Sequence, residues 1–108
     1  MEMFKKYGKF FLRPNIQTIT KQTAQDIYKL LSSKDIPTVI DMEGVENCSN
    51  EFLFMFKKLN NLSLLNVESR LLSVLYLTGF DKYVKIFGET VSLFDDEHEL
   101  INRRFSIV

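Results

Sequence analysis

Hydrophobic and polar positions along the chain switch between two periods. Residues 4–12, FKKYGKFFL, are rich in aromatics and alternate imperfectly, which predicts a strand. Pro14 and Asn15 close it, because proline cannot continue a ladder and asparagine supports a turn. From Thr20, TKQTAQDIYKLLSSK spaces Ala24, Ile27, Tyr28, Leu30 and Leu31 helically, with Thr20 as the N-cap. IPTVIDMEGV follows, a short β-branched run around Val39 and Ile40, bounded by Pro37 and Gly44. Such a run suits a central, parallel strand covered on both faces. SNEFLFMFKKL then predicts a helix with Phe52, Met55, Phe56 and Leu59 on one face. Leu53 and Phe54 widen that face, so the helix is expected to be deeply buried or to offer a sticky surface, burial being the default.

LSLLNV reads as a second buried strand. ESRLLSVLYLTGF is an amphipathic helix expected to turn Leu71, Leu72, Val74, Leu75 and Leu77 inward, and Gly79 supplies its left-handed terminal residue. YVKIF alternates as a strand. TVSLFDDEHELINRRF predicts a last helix with Leu93, Phe94, Leu100, Ile101 and Phe105 as apolar contacts, Phe105 and Ile107 belonging alternatively to a tail. The succession β-α-β-α-β-α-β-α predicts one α/β domain over residues 1–108 with a mainly parallel sheet.

Composition narrows the choice of partner. Fourteen basic and fourteen acidic residues cancel, which argues against nucleic acid or an anionic membrane as the main partner. The basic pairs Lys5-Lys6, Lys57-Lys58 and Arg103-Arg104 are each two residues long and read as solvated surface. A single cysteine, Cys48, excludes an intrachain disulfide and a cysteine-rich zinc site. The single histidine, His98, sits in DDEHEL, where acidic neighbours favour its charged form, and reads as an exposed helix residue. No apolar run approaches the ~20 residues needed to span a bilayer, and MEMFKKYGKF lacks a signal-peptide core. A cytoplasmic, cofactor-free protein is the expectation.

Catalytic constellations are missing from the sequence: there is no glycine-rich phosphate loop, Gly-x-Ser-x-Gly or HExxH. Asp41 and Glu43 lie near the end of a central strand, where α/β sheets bind ligands and a carboxylate pair could perform acid–base work. The plainer expectation is that they satisfy backbone donors of the next turn. Cys48 could be a nucleophile at a helix start, with His98 as its base, but a small buried hydrophobe before the cap is favoured. Ser49 and Asn50 are both good N-cap types.

Taken together, TVIDMEGVENCSNEFL and NVESRLLSVLYLTGFDKYVKIF resemble the two signatures of STAS domains, the fold of anti-sigma-factor antagonists and of the cytoplasmic tails of sulfate transporters. Asp41-Met42-Glu43-Gly44-Val45 is similar to the family's Asp-Leu-Ser-x-Val. LRPNIQTIT occupies the place of its Gly-x-Leu-Asp turn, with Pro14 and Gln17 replacing the glycine and aspartate. The likeness runs in order over residues 5–101. It implies a four-to-five-stranded, mostly parallel sheet with about four helices mainly on one face. Without gaps, Ser49 falls at the family's Asp, Asn50 at its phosphorylated serine, Glu51 at the next Ser/Thr and Phe52 at its glycine. Asn50 has no hydroxyl, so the usual switch is absent. Ser49 is a displaced phosphoacceptor only if the loop is one residue out of register, where backbone amides would suit a phosphate.

The resemblance implies a noncatalytic, bacterial signalling domain that docks on a protein through Ser49, Asn50, Glu51 and Phe52 together with the first turn, Asn15, Gln17 and Thr18. The implied partners are an anti-sigma kinase-like regulator, a signalling scaffold or a transporter ATPase. Two readings compete with regulation: an accessory subunit of a lipid-transport ABC system, and a small enzyme using Asp41, Glu43 or Cys48. A homodimer through the apolar second helix is a further option.

Overall fold

A computed structural model of the protein describes residues 1–88. The chain opens with a hairpin of β1 (Glu2–Lys6) and β2 (Lys9–Arg13), paired from Glu2↔Arg13 to Lys6↔Lys9. Tyr7 and Gly8 form its two-residue loop with φ of 56° and 70°. Positive φ at both loop residues is what a turn matched to the twist of its strands demands. The single strand expected over residues 4–12 is therefore two strands. The aromatic alternation on either side of Tyr7-Gly8 concealed a turn that glycine makes available.

Three α-helices and five further strands complete the described chain. They are β3 (Thr18–Ile19), α1 (Lys21–Ser32), β4 (Thr38–Asp41), β5 (Asn47–Cys48), α2 (Asn50–Phe56), β6 (Leu62–Val67), α3 (Ser69–Leu77) and β7 (Lys85–Gly88). A short 3-10 turn, Phe80–Lys82, precedes β7. Thr20 caps α1, accepting from the Thr23 amide, and Gly79 after α3 is left-handed with φ 75°. The predicted fourth helix lies outside the described residues.

The strands form a mixed, mostly parallel sheet in the order β1-β2-β4-β6-β7, with only β1 antiparallel. Because β2, β4, β6 and β7 follow one another in both chain and space, each crossover helix falls on the same side. That side holds the main core, where Ile27 and Leu31 of α1, Phe52 and Phe56 of α2, and Leu71 and Leu75 of α3 meet Leu12, Ile40 and Leu64 of the sheet. β4 sits in the middle and all four of its residues are buried, as expected of a strand with neighbours on both edges and cover on both faces. On the opposite side Phe11, Val39 and Leu65 form a second cluster joined by Phe4, whose ring stacks on Phe11 at 4.8 Å.

Alternation is broken once in the sheet. Asn66 has φ 56°, and the β6–β7 register shifts between Leu64 and Val67. This irregularity carries Val67 back into the helix-side core and sets Asn66 beside Asp41. The helix α3 buries less than its leucines suggest. Leu71 and Leu75 are inside, Leu72 is half-buried, and Val74 and Leu77 are exposed. At 100° per residue, Leu77 points well away from the stripe that Leu71 and Leu75 define, and nine residues are too few for a second buried face.

Candidate functional site

Two polar neighbourhoods draw on residues at the end of β4 and in the segment that follows it. The first is an edge built by the small parallel sheet of β3 and β5, which pairs Thr18 with Asn47 and Ile19 with Cys48. The Glu46 amide donates to the Gln17 carbonyl at 2.8 Å, and the Ser49 amide donates to the Ile19 carbonyl at 2.9 Å. A side-chain bond from Gln17 Nε2 to Glu46 Oε2, 2.7 Å, closes the outside. Residues 17–19 and 46–49 therefore run side by side, and the first turn meets the start of α2.

Within that edge each side chain has a definite place. Ser49 is the N-cap of α2: its backbone is extended (φ −75°, ψ 165°), and its hydroxyl accepts from the Phe52 amide at 3.4 Å. That bond satisfies one of the orphan donors of the helix start. Asn50 is the first helical residue and is exposed, while Glu51 follows half-buried in the first turn. Phe52 is fully buried and stacks on Phe56 at 4.3 Å and on Phe80 at 5.8 Å. Its side chain belongs to the core and offers nothing to a partner of the folded chain. Gln17 and Thr18 are exposed on the edge. Asn15 is exposed too, but its amide donates to Glu2 Oε1 at 2.7 Å and so faces the hairpin.

Cys48 is half-buried at the back of this edge, and burial pushes its thiol up to about 11. Desolvation favours the neutral form, the opposite of what a nucleophilic thiol needs. A hollow of about 250 Å³ separates Cys48, Glu46 and Asn47 from Arg70, Leu71 and Val74 of α3. His98, its notional base, lies outside the described residues.

The second neighbourhood surrounds Asp41, which is wholly inaccessible to solvent. Its Oδ1 accepts from Asn66 Nδ2 at 2.9 Å and from the Glu43 amide at 3.1 Å; its Oδ2 accepts from Arg13 Nη2 at 3.3 Å. The same guanidinium contacts the Glu43 carboxylate, and Glu2 stands 3.9 Å from its other nitrogen. The expectation that Asp41 would satisfy a backbone donor of the next turn matches the bond from Glu43. Arg13 and Asn66 were not anticipated. An asparagine inside an otherwise apolar strand was the available signal, since it is among the few residues that tolerate positive φ. The arrangement ties the ends of β2, β4 and β6 together through one carboxylate. Among the described residues no group of three or more His, Cys, Asp or Glu side chains is placed to hold a metal ion.

No family model matches the chain, and no curated protein matches it. Among the described residues no helix is long and apolar enough to cross a membrane.

Proposed function

We propose that the protein is a noncatalytic interaction domain of STAS-like type that docks on a protein partner through the β3–β5 edge and the start of α2. The reading rests on one observation above others. The small sheet sets Gln17 and Thr18 against Glu46 and Asn47, and Ile19 against Cys48 and Ser49, so the first turn adjoins the segment that leads into Asn50; the sequence resemblance pairs these two segments as one docking surface. Likeness of pattern, not shared chemistry, links the two, so the residues themselves must bear the argument.

Their chemistry suits binding without a switch. Asn50 is exposed and carries both donors and an acceptor, yet has no hydroxyl to phosphorylate. The Ser49 hydroxyl is engaged as the cap of α2 and is half-buried. Phosphorylation there would exchange a neutral cap for a dianion beside Glu51 and Glu46. Binding is accordingly constitutive, and anti-sigma kinase-like regulators or signalling scaffolds are the partner class.

The test is a pull-down from the native host with wild type beside Asn50→Asp and Asn50→Arg, with intact mass measured on the recovered bait. A partner captured by wild type and lost with Asn50→Arg, with no added phosphate, supports the reading. Capture that survives both substitutions moves docking to another surface. A phosphorylated Ser49 overturns constitutive binding, and a transporter ATPase as the captured protein redirects the function to an ABC system.

A further inference from the structure

The sheet has a side on which no described helix packs. Every buried helix residue belongs to the core on the other side, yet Phe11, Val39 and Leu65 are only 3%, 5% and 7% exposed. Neighbouring strands shield the flanks of such side chains and leave their tops open to water. A sheet face of this kind is normally solvated and polar unless something lies on it. Four apolar side chains side by side across β1, β2, β4 and β6 are the opposite of a solvated face.

Charge is distributed unevenly around this apolar centre. By strand alternation Lys6, Lys9 and Lys85 share its side with Phe4, Phe11 and Val39. Lys9 and Lys85 line one hollow of about 390 Å³ with Ser63 and Tyr83. The opposite end holds Asp41 and Glu43, already engaged with Arg13. The face thus offers an apolar middle and a basic end.

We propose that this face is a docking surface whose occupant is the chain's own segment of residues 89–108. Two facts favour it over a second copy or a foreign protein. Among the described residues β7 is an edge strand, so the chain leaves it at Gly88 beside the face. Twenty residues remain, enough to cross a five-stranded sheet roughly 19 Å wide in any conformation. Finally, the segment has the complementary composition. It carries Val91, Leu93, Phe94, Leu100, Ile101 and Phe105 for the apolar centre, and Asp95, Asp96, Glu97 and Glu99 for the lysines. A second copy would bring the same lysines against themselves unless it were reversed.

Zero-length carbodiimide coupling, which joins lysine amines to carboxylates, tests this on the full chain. Unlabelled and ¹⁵N-labelled protein are mixed before coupling, and linked peptides are identified by mass. The expected result is coupling of Lys6, Lys9 or Lys85 to the acids at 95–99 in same-isotope pairs. Mixed-isotope links as frequent as same-isotope ones assign the face to a second copy and overturn the proposal; so does the absence of any such link. An independent measurement uses a chain stopped after Gly88. It should bind a hydrophobic fluorescent dye several-fold more strongly than the full chain. A synthetic peptide of residues 89–108 should reverse this, and one with Asp95, Asp96, Glu97 and Glu99 replaced by lysine should not. Dye binding equal to that of the full chain, with the circular dichroism of a folded protein, overturns the proposal. Should the shortened chain not fold, the coupling experiment decides.

Discussion

Asp41 ends β4 with its carboxylate sealed from water and bonded to β2, β6 and the following turn, whereas Ser49 and Asn50 begin α2 with a single weak side-chain cap bond between them. Both neighbourhoods are small, polar and close in sequence, and both drew attention as sites of chemistry. Their difference is one of saturation. At Asp41, both oxygens are engaged, so the group is committed to holding the sheet together. At the β3–β5 edge the backbone is fixed by pairing while the side chains of Thr18 and Asn50 remain exposed. A fixed backbone with uncommitted side chains is how a binding surface limits the entropy lost on association.

The contrast can be tested by substitution, and the largest response is expected where the docking edge touches the core. Phe52→Ala should cost about 4 kcal/mol in urea unfolding, because it empties a fully buried ring site stacked on Phe56 and Phe80. A small loss would mean that Phe52 is not the anchor under the edge. Asp41→Ala should cost about 2 kcal/mol, since it leaves the buried Asn66 amide without its acceptor and takes one of its carboxylate partners from Arg13. Near-neutrality there would move Asp41 into the class of uncommitted groups and erase the contrast. Ser49→Ala should cost about 1 kcal/mol, the worth of an N-cap hydroxyl. Asn50→Arg should change stability by less than about 0.5 kcal/mol, being exposed, while abolishing partner capture. A destabilisation equal to that of Ser49→Ala would make any binding loss uninterpretable as a surface effect.

Cys48 sharpens the same comparison through pH. Its thiol is pushed from 9.0 to about 11 by burial. Below pH 9.0 it is protonated in folded and unfolded chains alike and adds no pH dependence. Between 9.0 and about 11 the unfolded chain releases its proton first, so its contribution makes stability fall as pH rises. Alkylation of native protein at pH 8 should accordingly be much slower than after unfolding, and Cys48→Ala should flatten the alkaline limb. Equal alkylation rates would show the back of the edge to be open to solvent.

How much of this was legible in the sequence depends on whether the information is local. Thr20, Ser49 and Gly79 were readable because caps and left-handed ends are decided by single residue types. The β6 strand and the central place of β4 were readable from short runs dominated by leucine and by β-branched residues. The hairpin turn at Tyr7-Gly8 was missed because tyrosine is a strand former and rarely adopts positive φ; the twist of the paired strands imposes it. The two-residue strands β3 and β5 carry no pattern of their own and exist through mutual pairing. Asn66, the partner of Asp41, lay hidden for a similar reason, since the contact spans two strands and depends on a register shift. For the candidate site, the residue types were legible, but not which of them remain exposed. Phe52 is the clearest case: helical spacing put it on the apolar face expected to be buried, the family likeness put it on the docking surface, and the packing decides for the first.

The order β1-β2-β4-β6-β7 has a consequence for how the molecule comes into being. Strand order in space repeats strand order along the chain, so no strand is ever required to wedge itself between two that are already paired. A polypeptide emerging from a ribosome in the usual direction can seed the hairpin, then lay each new strand on a free margin. Each of the three described helices swings across the same side as it does so. Each addition is short in sequence separation, and the loop closed at each step is modest. The sheet is, in effect, written from left to right.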